Sequence, residues 1–164
     1  MHLPIDGIRW TIILLTCAAL TYAGVSDVRH RRIPNSAVLA IIALFAGWYL
    51  AGPSISLQSS LIAALVVFVC GFLLYVFKVV GAGDSKLAAA VALFAGLHGL
   101  PQFLFYMALA GGVMALCMLV AQPASVSVML HTRGRGQVYR GVPYGVAIAI
   151  SGVMTLLMVV RPHF

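Results

Sequence analysis

Three aspartates make up the whole acidic complement of this 164-residue chain, which has no glutamate. Two of them, Asp27 and Asp84, stand where long apolar runs give way to short polar segments. Two carboxylates brought close together can share one proton, because like-charge repulsion keeps one group protonated while the other stays ionised. The ionised group can take a proton from water as a general base, and the protonated group can polarise a carbonyl as a general acid. Peptide hydrolysis needs both acts. Which aspartate plays which part does not follow from the sequence, since such a pair titrates as a unit. Three other readings stand beside this one. The aspartates could be solvated loop residues balancing local Lys and Arg, a cation or proton site of a transporter or channel, or bystanders in a non-catalytic scaffold of a secretion machine.

The residues around Asp84 bear on the choice. Gly81 and Gly83 lack a Cβ, so the backbone there can take unusual dihedrals and let another chain, such as a substrate peptide, approach closely. A flexible loop is the plainer reading of the same glycines. Lys86 follows Asp84 by two positions, so on a regular helix the two side chains do not face each other. Substrate contact, tuning of the pair and interfacial snorkelling all remain open for it. Tyr144 could stack near the site, hydrogen-bond an aspartate, or anchor the chain at a membrane interface. Arg29, Arg31 and Arg32 read as topology anchors that also attract anionic headgroups. His30, His98 and His131 read as boundary residues rather than catalysts.

The elements that must position these groups are membrane helices. Hydrophobic residues make up 63% of the chain and charged residues 8%, against about 25% charged in a soluble domain. Water is therefore not the main solvent. The net charge of +7 would suggest nucleic acid in a soluble protein. Here the basic residues occupy short loops between apolar runs, so topology explains them, and the lipid bilayer, not nucleic acid, is the expected partner. Cys17, Cys70 and Cys117 each lie inside an apolar run with no CxxC pairing and no His at zinc spacing, which reads as three small buried hydrophobes. No disulfide, metal or cofactor is expected. The apolar run Thr11 to Leu20 could pass for a signal peptide, but strongly basic residues follow it, and an uncleaved first helix is the better reading.

A spanning helix needs about 20 mostly apolar residues. No charged side chain occurs from Ser36 to Phe77, or from Leu87 to Leu130. Each stretch is too long for one span and must turn, at Ala51-Gly52-Pro53-Ser54 and at Gly96-Leu97-His98-Gly99-Leu100-Pro101 respectively. The result is an all-α, polytopic, single-domain chain with about six transmembrane helices, near 8–25, 37–50, 57–77, 84–97, 102–121 and 142–160. The fourth is short, and either an earlier start near Gly81–Gly83 or a thinner bilayer would draw Asp84 inward. Gly111 and Gly112 suit close packing of the fifth helix. Arg29, Arg31, Arg32, Lys78, Lys86, Arg133, Arg135 and Arg140 fall in alternate loops, with only Arg9 and Arg161 opposite. The positive-inside rule then puts the N-terminus outside and both Asp27 and Asp84 at the cytoplasmic boundary. Asp6 falls on the other side and cannot join them.

The motifs are more specific together than apart. Asp27-Val28-Arg29-His30-Arg31-Arg32-Ile33-Pro34-Asn35 resembles the first aspartate motif of the type IV prepilin peptidases, an Asp followed by Ile-Pro-Asn. Gly81-Ala82-Gly83-Asp84-Ser85-Lys86-Leu87 is similar to their Gly-x-Gly-Asp motif, with Lys-Leu after it. Pro143-Tyr144-Gly145 resembles a third feature, and all three run in family order. The resemblance implies metal-free aspartyl proteolysis of prepilins at the cytoplasmic face of the bacterial inner membrane, with Asp27 and Asp84 as the catalytic pair. Gly81, Gly83, Lys86, Pro143, Tyr144 and Gly145 would bind substrate or shape the site. The implied substrate has a short basic leader ending in Gly, followed by an apolar helix. The cysteine-bearing N-terminal extension of larger members is not seen here. The chain resembles the compact form that accompanies tight-adherence (Flp-type) pili, and methyltransferase activity is not expected.

Overall fold

The computed structural model describes residues 3–52, 55–120 and 144–160. All regular structure among them is helical: α1 (Leu3–His30), α2 (Asn35–Leu50), α3 (Leu57–Val76), a run over Ala82–Val120, and a last helix, α6 (Tyr144–Val160). The run over Ala82–Val120 is two helices, because Gly96 inside it has φ 59 and ψ −177. These dihedrals are open in practice only to glycine. We name its arms α4 (82–95) and α5 (97–120). The break falls at the first residue of the turn expected from sequence, five residues before Pro101. The start of α3 and the residues just before it pack against the break. The Ser59 hydroxyl accepts the Leu97 N–H at 2.9 Å, supplying a partner that the new helix start lacks. A Cβ on Gly96 would come within 2.9 Å of Ile55.

Two helix boundaries matter for the aspartates. The polar segment after the first apolar run is not a turn from Ser26 onward. Helix α1 continues through Asp27 to His30, and its basic last turn suits the negative end of the helix dipole. At the other site, α4 starts at Ala82, which puts Asp84 in its first turn.

Helix α4 is the centre of the packing. Ala90 to Ala95 are all buried, as expected for a helix that is apolar all round. Phe94 meets the edge of Phe45 at 5.2 Å and lies 5.7 Å from Trp48, both on α2. Helix α6 lies between α1 and α4 and packs on both. A Cβ on Gly152 would come within 2.9 Å of Leu20 on α1 and 3.2 Å of Val91 on α4. Small residues thus let three helix backbones converge without a strong hydrophobic drive. On α5 the two paired glycines differ in their packing among the described residues. A Cβ on Gly111 would sit 3.8 Å from Ala147 of α6, whereas one on Gly112 would meet nothing within 4 Å among the described residues.

The outer faces carry exposed Leu14, Leu39, Phe72 and Phe105. In water such a surface would aggregate; against lipid it is the solvated face. By length and composition, three stretches could cross a membrane: Gly7–His30, Leu57–Val76 and Ala82–Met118, the last containing the break at Gly96. The shorter apolar helices are Asn35–Leu50 and Tyr144–Val159.

Candidate active site

Asp27 lies in the last turn of α1 and is 8% exposed. Its Oδ2 accepts the backbone N–H of Gly145 at 2.9 Å. Gly145 is in the first turn of α6, where N–H groups have no helical partner and favour an anion. The contact leaves no room for a side chain. A Cβ on Gly145 would lie 2.8 Å from Asp27 Oδ2, 2.9 Å from its Cβ and 3.0 Å from its Cγ. One turn back, a Cβ on Gly24 would come within 3.3 Å of the Ala149 Cβ. Glycines on both helices therefore let α1 and α6 approach closely enough for the carboxylate to reach the helix end.

Asp84 is built differently. Its Oδ2 accepts the Gly81 N–H at 3.3 Å, so the acid three residues into the helix start reaches back over it, as in one half of a capping box. The carboxylate is half-buried and borders a cavity of about 390 Å³ lined by Tyr75, Lys78, Val79, Val80, Gly81, Asp84 and Tyr144. Ser85 fixes the depth of α4 against α3. Its hydroxyl, on a residue 5% exposed, donates to the Gly71 carbonyl at 2.9 Å and lies 3.3 Å from the Gly81 carbonyl. A Cβ on Gly71 would come within 2.9 Å of the Ser85 Cβ.

The two motifs meet. After α1 the Ser26 hydroxyl donates to the Arg32 carbonyl at 2.9 Å, folding the connecting segment back on the helix. That fold brings Ile33 against Gly83, where a Cβ would sit 3.2 Å from the Ile33 Cβ. Tyr144, next to Gly145, joins the two sides: its neighbour holds Asp27, and it lines the cavity beside Asp84.

Of the residues singled out from sequence, the fold therefore gathers Asp27, Asp84, Gly81, Gly83, Tyr144 and Gly145. Lys86 is exposed and does not line the cavity. Pro143, His131, Arg133, Arg135 and Arg140 lie outside the described residues. Tyr75, Lys78, Gly71 and Ser85 are structural neighbours that the sequence reading did not assign to the site. A glycine within the apolar run of α3 was the available signal for Gly71. Lys78 stood out only as a boundary cation.

Two curated relatives, each a "Prepilin leader peptidase/N-methyltransferase" from Burkholderia pseudomallei (strains 1026b and K96243), are 30% identical over 154 residues. The match covers 85% of this chain and 44% of each relative, so the chain spans less than half of their length. No solved structure matches. The pattern of the type IV leader peptidase family fits residues 14–116, which include both aspartates and the glycines before Asp84, and the chain belongs to that family.

Proposed function

We propose that this chain is a membrane aspartyl endopeptidase that removes the basic leader from prepilins, with Asp27 and Asp84 as the water-activating pair. The observation that carries the reading is the convergence of two aspartates, far apart in sequence, one held by the Gly145 N–H and the other open to a cavity. In the working state the pair holds one proton. The ionised carboxylate takes a proton from water as the water oxygen attacks the scissile carbonyl. The protonated carboxyl donates toward the carbonyl oxygen. Collapse of the tetrahedral intermediate breaks the C–N bond, and the leaving nitrogen picks up a proton from the pair. The curated relatives' name, together with the Ile33-Pro34-Asn35 and Gly81–Asp84 motifs, supports a prepilin as the substrate, and the compact tight-adherence (Flp-like) type is the subclass we favour.

The same reading places the chain in the bacterial inner membrane with about six spans, the N-terminus outside and the aspartates at the cytoplasmic face. The distribution of Lys and Arg supports this orientation. Reporter fusions at residue 1 and within 78–80 test it; activity of a cytoplasm-only reporter at residue 1 would overturn the orientation.

The test of function is co-expression with a candidate prepilin. Asp27→Asn and Asp84→Asn should each insert normally into the membrane yet leave the leader attached, with cleavage falling by about 10²–10⁴-fold or more. Leader removal that persists in either variant would defeat the proposal. An altered ion flux with intact processing would instead support a transport role for the pair.

A further inference from the structure

Lys78 occupies a position that backbone chemistry reserves for glycine. It follows the Phe77 C-cap of α3 and has a left-handed φ of 59. Its N–H bonds the Tyr75 carbonyl at 2.9 Å, and the Val79 N–H bonds the Leu74 carbonyl at 2.9 Å. Those two bonds define a Schellman motif, whose left-handed residue is usually Gly. A positive charge near a helix C-terminus is favourable, but the last turn of α3 could carry one without strain. A non-glycine residue kept in this conformation points to a task for its side chain.

Lys78 lines the cavity that Asp84 also lines. No ion pair joins Lys78 to Asp84, so its ammonium does not serve as the direct counter-ion of the pair. We propose that Lys78 holds the substrate: its ammonium donates a hydrogen bond to a backbone carbonyl of the peptide in the cavity, one or two residues from the bond under attack. The inference rests on the peptidase reading and deepens it. An extended peptide offers a carbonyl about every 3.3 Å. A donor set back from the carboxylates therefore meets a neighbouring carbonyl and not the one being attacked. Such a contact is made equally in the ground state and the transition state, so losing it raises KM and leaves kcat alone.

The experiment uses the full chain, purified in detergent, and a synthetic peptide with a basic leader, Gly before the cut and an apolar segment after it. Steady-state constants and thermal midpoints are compared for the parent, Lys78→Gly, Lys78→Met and Lys78→Arg. Lys78→Gly and Lys78→Met should raise KM by about tenfold or more with kcat within about twofold, consistent with loss of a charge-assisted hydrogen bond. Lys78→Arg keeps a donor and should stay within about threefold of the parent KM. Lys78→Gly should melt no lower than the parent, since glycine fits the left-handed position. This variant keeps the test valid should Lys78→Met fold poorly. Parent-like KM in both Lys78→Gly and Lys78→Met overturns the inference alone, as does a fall in kcat at unchanged KM. A parent that leaves the peptide whole overturns the peptidase reading, and this inference with it.

Discussion

The two aspartates are held by opposite strategies. Asp27 belongs to the end of one helix and is gripped by the start of another, with its carboxylate so close that Gly145 has no room for a Cβ. Asp84 is gripped by its own helix start, through the Gly81 N–H, and faces open space on its other side. The first arrangement depends on two elements keeping their distance. The second is local and travels with α4. One member of the pair is thus fixed by tertiary packing, and the other is presented to whatever enters the cavity.

That contrast can be broken most sharply at the two glycines. Gly145→Ala puts a Cβ within 3.0 Å of three Asp27 atoms, so the carboxylate or α6 must move. A displacement of about 1 Å can cost about 10²-fold in rate, and cleavage of a co-expressed prepilin should fall by that order. Gly81→Ala meets only the far end of the flexible Asp84 side chain, at 2.9 Å, and should lower cleavage by less than about fivefold in the same assay, a far smaller loss than misplacement by about 1 Å brings. Equal losses in the two variants would erase the distinction.

Lengthening each acid by one methylene sharpens the point through stability. Asp27→Glu forces extra volume into a packed contact, at a cost of about 1–3 kcal/mol, and should lower the thermal midpoint in detergent. Asp84→Glu extends into the cavity and should leave the midpoint near the parent value. A lower midpoint for Asp84→Glu than for Asp27→Glu would contradict the packing described here. The smallest effect is expected at Ser85, whose hydroxyl joins α4 to the Gly71 carbonyl at 2.9 Å. Ser85→Ala should destabilise by about 0.5–1.5 kcal/mol, measured by thermal or denaturant melting, while cleavage by the folded protein continues. Abolished cleavage in a well-folded Ser85→Ala protein would assign the hydroxyl to the chemistry instead.

Much of this architecture is legible in the sequence. Long uncharged stretches cannot cross a bilayer once, which located the break that Gly96 makes. Aspartates are costly near lipid, so Asp27 and Asp84 stood out against an apolar background. Pairing across helices was not legible, because helices that are apolar on every side carry no periodic signal of which face meets which neighbour. Gly71 against Ser85, and Gly152 between Leu20 and Val91, therefore appear only in three dimensions. Gly145 was marked by family resemblance, but its physical task, giving an N–H and withholding a Cβ, needed the packing of α1 on α6. Lys78 was hidden for another reason. A lysine at the end of an apolar run looks like a topology signal, and only its left-handed backbone and its place on the cavity wall set it apart.

At the end of α1 remote from Asp27, the Arg9 guanidinium donates twice to the Ala51 carbonyl, at 3.2 and 3.1 Å. From Arg9 to Asp27 the helix is about 27 Å long at 1.5 Å per residue, and it is fastened near both tips to different parts of the bundle. It therefore works as a strut: a piston-like slide along its own axis would have to tear out both fastenings together. Asp27 therefore stands at the end of a braced member, its place along the helix axis set by fastenings to two different parts of the bundle.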